Sequence, residues 1–322
     1  MKAIRVHQFG GPEVLRLDDV DDLHPAADEI LVKVMAAGVN PVDVYIRTGS
    51  YPLPIILPYT PGFDGAGVVE EVGDNVRQYA AGDRVYIAGS LTGTYAEKAL
   101  CRPSQIFHLS EKLSFSQGAG IGIPYLAAFR ALFTKAKAVA NETVFIHGAS
   151  GGVGVAAIQL AKSAGLRIIA TAGSPKGLLL IKQQGADYIL DHTQQGYLST
   201  VKPMTGGKGV DIILEMKADI NLGSDLDILA KDGLVVVVGC RGQVNINPRE
   251  IMAKDAMVVG MTIFNISSNE RTKIYESLAD GFETEKFVPV IGQEFSLRDA
   301  PLAQRSIIEG RAFGKFVIQP YI

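Results

Sequence analysis

Residues 143–161 carry the densest chemical pattern in the chain. A β-type run at 143–147 enters Gly148-Ala149-Ser150-Gly151-Gly152-Val153-Gly154, and small and apolar residues at helical spacing follow over 155–161. The spacing Ala149-x-Gly151-x-x-Gly154 is the dinucleotide fingerprint with alanine in the first glycine position. Such a turn must be tight, Gly151 lets the backbone approach a pyrophosphate, and Gly154 lets the helix pack against the strand. The helix start adds unpaired N–H groups and the positive end of its dipole, so the ligand is an anion. A turn that needs glycine only for packing is the plain alternative, and the strand before with the helix after favours binding.

The end of the second strand, about 20 residues beyond the motif, separates NAD from NADP, because an acidic side chain there binds the ribose hydroxyls. The segment reads Thr171-Ala172-Gly173-Ser174-Pro175-Lys176, with no carboxylate. Ser174 and Lys176 offer a hydroxyl and a charge to a 2′-phosphate, which points to NADPH. A solvated loop lysine is the ordinary alternative for Lys176. Five histidines and two cysteines, none paired at short ligand spacing and with no C-x-x-C run, give neither a catalytic nor a structural zinc site. Without a Lewis acid to stabilise an alkoxide, alcohol oxidation is disfavoured, whereas hydride donation to an electrophilic quinone or conjugated enone remains feasible.

The elements that position these residues divide the chain. At 322 residues one core is less expected than two domains. Hydrophobic residues at 47%, charged residues at 20% and 35 glycines describe a globular, turn-rich α/β protein rather than a disordered one. Short β-type runs at 30–34, 66–72, 84–87 and 94–99 alternate with Gly/Pro turns and read as a mostly antiparallel, barrel-like domain. Helical spacing appears at 124–133. Strands at 143–147, 167–172, 210–215, 234–239 and 257–262 then alternate with helix-compatible stretches, the mark of a doubly wound parallel sheet. Further strands at 288–291 and 315–318 break that rhythm and suggest a return to the first domain.

A formal net charge of -3 without a dense Lys/Arg run argues against nucleic acid as a partner. The start lacks a signal-peptide pattern and no stretch is long and apolar enough to span a bilayer, so a cytoplasmic, membrane-free protein is expected. Cys101 and Cys240, far apart in sequence, fit a reducing compartment. The apolar run 235–238, or the strand near Met257, offers an edge for two-fold pairing, hence an expected homodimer with a tetramer as the alternative.

Several strings besides the phosphate turn resemble the zeta-crystallin type of quinone oxidoreductases, zinc-free members of the medium-chain dehydrogenase/reductase superfamily. They are FGGPEVL at 9–15, GVNPVDVYIRTG at 38–49, LPYTPGFDGAG at 57–67, IPY at 123–125, HGASGGVG at 147–154 and INPR at 246–249. The resemblance implies a GroES-like β-rich catalytic domain (1–121 and 264–322) with an inserted Rossmann NADPH-binding domain (122–263), and NADPH:quinone reduction by one or two electrons. Zinc-dependent relatives carry Gly-His-Glu and a cysteine where this chain has Gly62-Phe63-Asp64 and Asn40, so the resemblance also implies no catalytic metal. It places Tyr45 and Asn40 beside the nicotinamide, and Ser150, Gly151, Gly152 and Val153 on the pyrophosphate. It further places Gly173, Lys176 and His192 around the adenosine phosphate, and Asn221 in the loop after the fourth strand. Val238, Gly239, Cys240 and Arg241, with Met261, Thr262 and Ile263, would close over the nicotinamide end.

Each assignment has an ordinary rival: a barrel tyrosine with a satisfied hydroxyl for Tyr45, a loop histidine for His192, a turn asparagine before Pro41 for Asn40. Lys217 departs from the family, standing near the cofactor edge where an apolar side chain is expected. The expected mechanism passes a hydride, or single electrons, from NADPH to a quinone, with protons from water or Tyr45. A 2-alkenal or enone double-bond reductase is the alternative enzyme, and an RNA-binding or crystallin-like structural role the alternative of another class.

Overall fold

The computed structural model describes residues 1–309 and 313–322. The chain divides into two compact units, Met1–Ile123 with Ser268–Ile322, and Pro124–Ser267. The first unit opens with β1 (Lys2–Val6) and β2 (Leu15–Asp19), a separate antiparallel ribbon. β3 (Ile30–Val39), α1 (Pro41–Arg47), β4 (Asp64–Val72), β5 (Arg84–Ala88), β6 (Lys98–Cys101), β7 (Ile106–His108) and α2 (Phe115–Gly118) follow, and α3 (Gly122–Phe129) carries the chain into the second unit.

The second unit runs β8 (Thr143–Ile146), α4 (Gly152–Ser163), β9 (Arg167–Ala172), α5 (Pro175–Gln184) and β10 (Tyr188–Asp191). Its second half runs α6 (Val201–Met204), β11 (Val210–Glu215), α7 (Ala218–Ile228), β12 (Leu229–Val237), α8 (Pro248–Met252) and β13 (Met257–Gly260). The chain then returns to the first unit with α9 (Ser268–Glu283), β14 (Ile291–Ser296), α10 (Ala300–Glu309) and β15 (Lys315–Gln319).

In the first unit β3 is the organising strand. Its near-continuous apolar run has neighbours on both edges: β4 along one, and on the other β6 beside 30–33 and β15 beside 37–39. Register breaks against β4 at Leu31/Val32 and Val34/Ala36 bend the strand so that one element can serve three partners. The sheet order is β14-β15-β3-β4-β5-β7, antiparallel except for β14 beside β15. Val32, Val34, Ile87, Tyr95, Ile106 and Ile318 lie in its core.

The second unit has six parallel strands in the order β10-β9-β8-β11-β12-β13, the doubly wound arrangement in which the strand order reverses between β8 and β11. Phe145 in β8 stands between Ile169 and Ile213 of its neighbours, and this layer packs with Leu226 of α7 and Val235 of β12. The inner strands β8, β9, β11 and β12 are buried and read as apolar runs, which makes them visible in the sequence; the outer strand β10, exposed or half-buried, is not among the expected strands.

Some expected elements move. The run 94–99 yields a strand only at Lys98–Cys101, because Tyr95 and Ala96 instead touch β1 through single backbone contacts. The expected strand at 288–291 begins at Ile291, after Pro289, which has no N–H for a ladder. The helix expected at 124–133 starts at Gly122 and widens into a π-turn over Arg130–Lys135. The run 235–238 is not an edge: β12 lies between β11 and β13, and β10 and β13 are the outer strands of this sheet. Among the described residues no helix is long and apolar enough to cross a membrane.

Candidate cofactor site

The turn after β8 is built around close backbone approach. Gly148 has φ of 54°, in the left-handed region, and Ala149 N–H donates to the Thr171 carbonyl at the end of β9 (2.8 Å). Gly151 is the N-cap of α4, and Ser150 beside it is buried. A Cβ on Gly154 would lie 2.4 Å from the Ala149 Cα, so only glycine lets the helix seat this close to the strand end. The first amides of α4, including those of Gly152, Val153 and Gly154, have no carbonyl one turn earlier in the helix and define an anion position.

Gly173, Ser174 and Lys176 follow β9. The Ser174 Oγ caps α5 by accepting from Gly177 N–H (3.1 Å), which leaves its hydroxyl hydrogen for an acceptor outside the helix. Lys176 is exposed on the first turn of α5. His192, just after β10, contacts Thr171 Oγ1 through Nδ1 (3.3 Å), and a Cβ on Gly173 would meet its Nε2 at 2.4 Å. Gly173, Ser174, Lys176 and His192 thus gather around the ends of β9 and β10, with hydroxyl, ammonium and imidazole as their polar groups.

At the ends of β11, β12 and β13 the loops are knitted to one another. The Glu215 carbonyl accepts from Val238 N–H (2.8 Å) and Gly239 N–H (3.1 Å), and Ala218 N–H donates to the Gly239 carbonyl (3.0 Å). Arg241 N–H donates to Asp219 Oδ1 (2.9 Å), the exposed Cys240 Sγ to the Gly242 carbonyl (3.1 Å), and Met261 N–H to the Val237 carbonyl (3.0 Å). Buried Arg130, in the π-turn, donates to the carbonyls of Thr262 and Asn265 and so fixes the stretch containing Ile263. Asn221 donates to Glu215 Oε1 (3.2 Å). Lys217 is exposed at the N-cap of α7.

Asn40 and Tyr45 lie in the first unit. Tyr45 is half-buried on α1, and its carbonyl accepts from both Thr48 and Ser50 hydroxyls. Asn40 is buried, and both ends of its side chain are engaged: Nδ2 donates to Asp64 Oδ2 (2.9 Å), and Oδ1 accepts from Lys315 Nζ. Lys315 also pairs with Asp64 (2.8 Å), whose other oxygen takes Ile123 N–H (2.8 Å). Asp43 caps the Asn40 amide (2.8 Å) and accepts from Tyr95, and burial pushes its carboxyl up to about 7 while Lys315 pulls it down.

Sequence reasoning did not single out Arg130, His147, Glu215, Asp225 or Lys315 as contributors to these sites. A charged residue inside or ending an apolar run was the available signal: Glu215 closes Val-Asp-Ile-Ile-Leu-Glu, and Arg130 interrupts an apolar helix.

The model described as alcohol dehydrogenase GroES-like domain matches residues 26–122, and the one described as zinc-binding dehydrogenase matches 152–280. With the parallel sheet and its glycine turn, they make the chain a two-domain oxidoreductase of the medium-chain dehydrogenase/reductase superfamily, combining a GroES-like and a Rossmann-like domain. Human quinone oxidoreductase is 46% identical over 320 residues, covering 99% of this chain and 97% of the relative. A Pseudomonas aeruginosa quinone oxidoreductase is 31% identical over 99% of both chains. The structure of Escherichia coli quinone oxidoreductase complexed with NADPH superposes with a TM-score of 0.90 at 29% identity, over 99% of this chain and 100% of that one. Within the superfamily the chain belongs to the quinone oxidoreductase family.

Proposed function

We propose that the chain reduces quinones with NADPH, without a metal, as a cytoplasmic homodimer. The observation that carries the reading is the turn at 148–154, where Gly154 seats α4 against Ala149 and aims the first helical amides at an anion. Ser150, Gly151, Gly152 and Val153 hold the pyrophosphate. Ser174 and Lys176, with Gly173 and His192 beside them, receive the 2′-phosphate, and the lack of a carboxylate over 171–176 disfavours a bare ribose diol. The loops containing Asn221, Val238 to Arg241 and Met261 to Ile263 orient the nicotinamide. Bound NADPH supplies the hydride. Tyr45 is assigned a modest part in delivering a proton, since a reduced quinone oxygen is only weakly basic, and Asn40, held by its bonds to Asp64 and Lys315, is assigned a place beside the nicotinamide.

The residues facing Asn40 do not fit zinc. They offer an amide oxygen and a carboxylate but neither thiolate nor imidazole, and the cation between them is the Lys315 ammonium itself. The exposed Met257 on the outer strand β13 supports pairing of two copies along that edge, and the free cysteines Cys101 and Cys240 support a reducing compartment. The test is NADPH oxidation with an ortho-quinone, compared with NADH as donor and a 2-alkenal as acceptor. Turnover with NADPH and quinone is expected; tight NADPH binding with turnover of the alkenal alone would make the chain a double-bond reductase.

A further inference from the structure

Glu215 ends β11 and His147 follows β8, the two strands on either side of the reversal point, where doubly wound sheets bind their ligands. Asp225 reaches the same place from α7. His147 Nε2 lies 2.7 Å from Asp225 Oδ1 and 3.2 Å from Glu215 Oε2, and both carboxylate side chains are 0% exposed. One imidazole N–H can donate to only one of these oxygens. Glu215 Oε2 and Asp225 Oδ2 are left with no donor, and a buried acceptor without one is costly.

The other half of Glu215 is committed to the loops. Its Oε1 accepts from Lys217 N–H and Asn221 Nδ2, and its backbone carbonyl from Val238 and Gly239. A divalent ion is a poor occupant, because tetrahedral ligands around zinc stand about 3.3 Å apart whereas His147 and Asp225 are in direct hydrogen-bond contact. A hydrogen between the two carboxyls would satisfy both orphaned oxygens at once.

We infer that His147, Glu215 and Asp225 share one proton, and that Glu215 held in this way is the positioning residue for the loops at 216–221 and 238–241. In this arrangement neutral His147 donates to one oxygen of Asp225 while the Glu215 carboxyl donates to the other. The groups facing the pair are His147 at the end of β8 and the Tyr197 phenol in the turn before α6; α7 contributes only Asp225 and the Lys217 and Asn221 contacts. Among the described residues no lysine or arginine pairs with either carboxylate. Burial pushes Glu215 up to about 8, with Asp225 adding to the rise and His147 opposing it. Burial also raises Asp225, to about 7, and lowers His147. A carboxyl raised above its unfolded value stabilises fully at low pH, and that stability is lost as pH rises through the folded value, here about 8 for Glu215.

The inference rests on the NADPH reading, and the test separates the two. NADPH affinity and ligand-free melting temperature are measured from pH 6 to 9 for wild type, Glu215→Gln and Glu215→Ala. The glutamine keeps the Oε1 acceptor and replaces the acid hydrogen with an amide hydrogen. It is expected to bind NADPH within about twofold of wild type at pH 7 and to lose less melting temperature than wild type between pH 7 and 9. Glu215→Ala removes two hydrogen bonds from the loop and is expected to bind about 10–30-fold more weakly, with KM affected more than kcat. If Glu215→Ala fails to fold, Asn221→Ala, which removes one of these bonds, is expected to weaken binding several-fold.

Identical pH dependence in wild type and Glu215→Gln would overturn the shared proton. Normal NADPH binding by Glu215→Ala would overturn the positioning role alone, and no binding by wild type would overturn the NADPH reading with it. Zinc that raises the melting temperature of chelator-treated wild type but not of Glu215→Ala would replace the proton by a metal.

Discussion

Replacing Lys315 by methionine tests the polar cluster of the first unit most directly. The substitution keeps an unbranched side chain of similar length and removes only the charge that faces Asp64 and Asn40. Lys315 and Asp64 are 4% and 1% exposed, so water cannot take the place of the ammonium. Removing one partner of a buried ion pair costs about 3–5 kcal/mol, and the orphaned Asn40 Oδ1 falls within that sum. At about 2–4 °C per kcal/mol, the first unit should melt on the order of 10 °C lower. The chain has no tryptophan and 11 tyrosines, so far-UV circular dichroism with tyrosine fluorescence is the practical assay. Adding Asp64→Asn removes the uncompensated charge and should restore a substantial part of the loss, a coupling that a double-mutant cycle reads directly. The deficit should also grow with pH, because Asp43, at about 7, loses the cation that favours its ionised form and becomes still costlier to ionise in the fold. A loss under about 1 kcal/mol, or additive effects in the double variant, would refute the account of Lys315 as the internal cation.

The remaining predictions concern the second unit. Gly154→Ala drives a Cβ into the Ala149 backbone, and lifting α4 should cost about 1–3 kcal/mol and weaken NADPH binding in a fluorescence titration. Lys176→Ala should raise the KM for NADPH about tenfold while leaving NADH nearly unchanged, which steady-state kinetics with both donors will show. Arg130→Met withdraws the buried donors from the Thr262 and Asn265 carbonyls; a melting temperature several degrees lower and weaker NADPH binding are expected, checked by thermal melts and titration.

What the sequence disclosed follows from how far its signals reach. The turn at 148–154 is legible because strand, glycines and helix are contiguous, and the inner strands β8, β9, β11 and β12 because burial leaves apolar runs, whereas the outer strand β10, exposed or half-buried throughout, left no such run and was not expected. Lys315 carries no such mark: its partners Asn40 and Asp64 are 275 and 251 residues away, and only the pairing of β15 with β3 brings them together. Asp225 lies on a helix whose other buried positions are largely apolar, and its partner Glu215 reads as the last residue of a strand. The displaced strand at Ile291–Ser296 shows the opposite limit, where a local apolar pattern gave way to backbone partners in β15.

The place of β15 has a consequence for synthesis on the ribosome. This strand emerges only after the whole inserted unit, yet it sits between β14 and β3 rather than at the rim of its sheet. Until it arrives, the edge of β3 away from β4 lacks a partner beside residues 37–39, and Asp64 lacks its counter-charge. The six strands of the second unit, by contrast, are all made by residue 260. The inserted unit can therefore assemble while the unit that encloses it in sequence still waits with an open edge, and that waiting edge is where a nascent chain would be captured by a chaperone or by another unfinished copy.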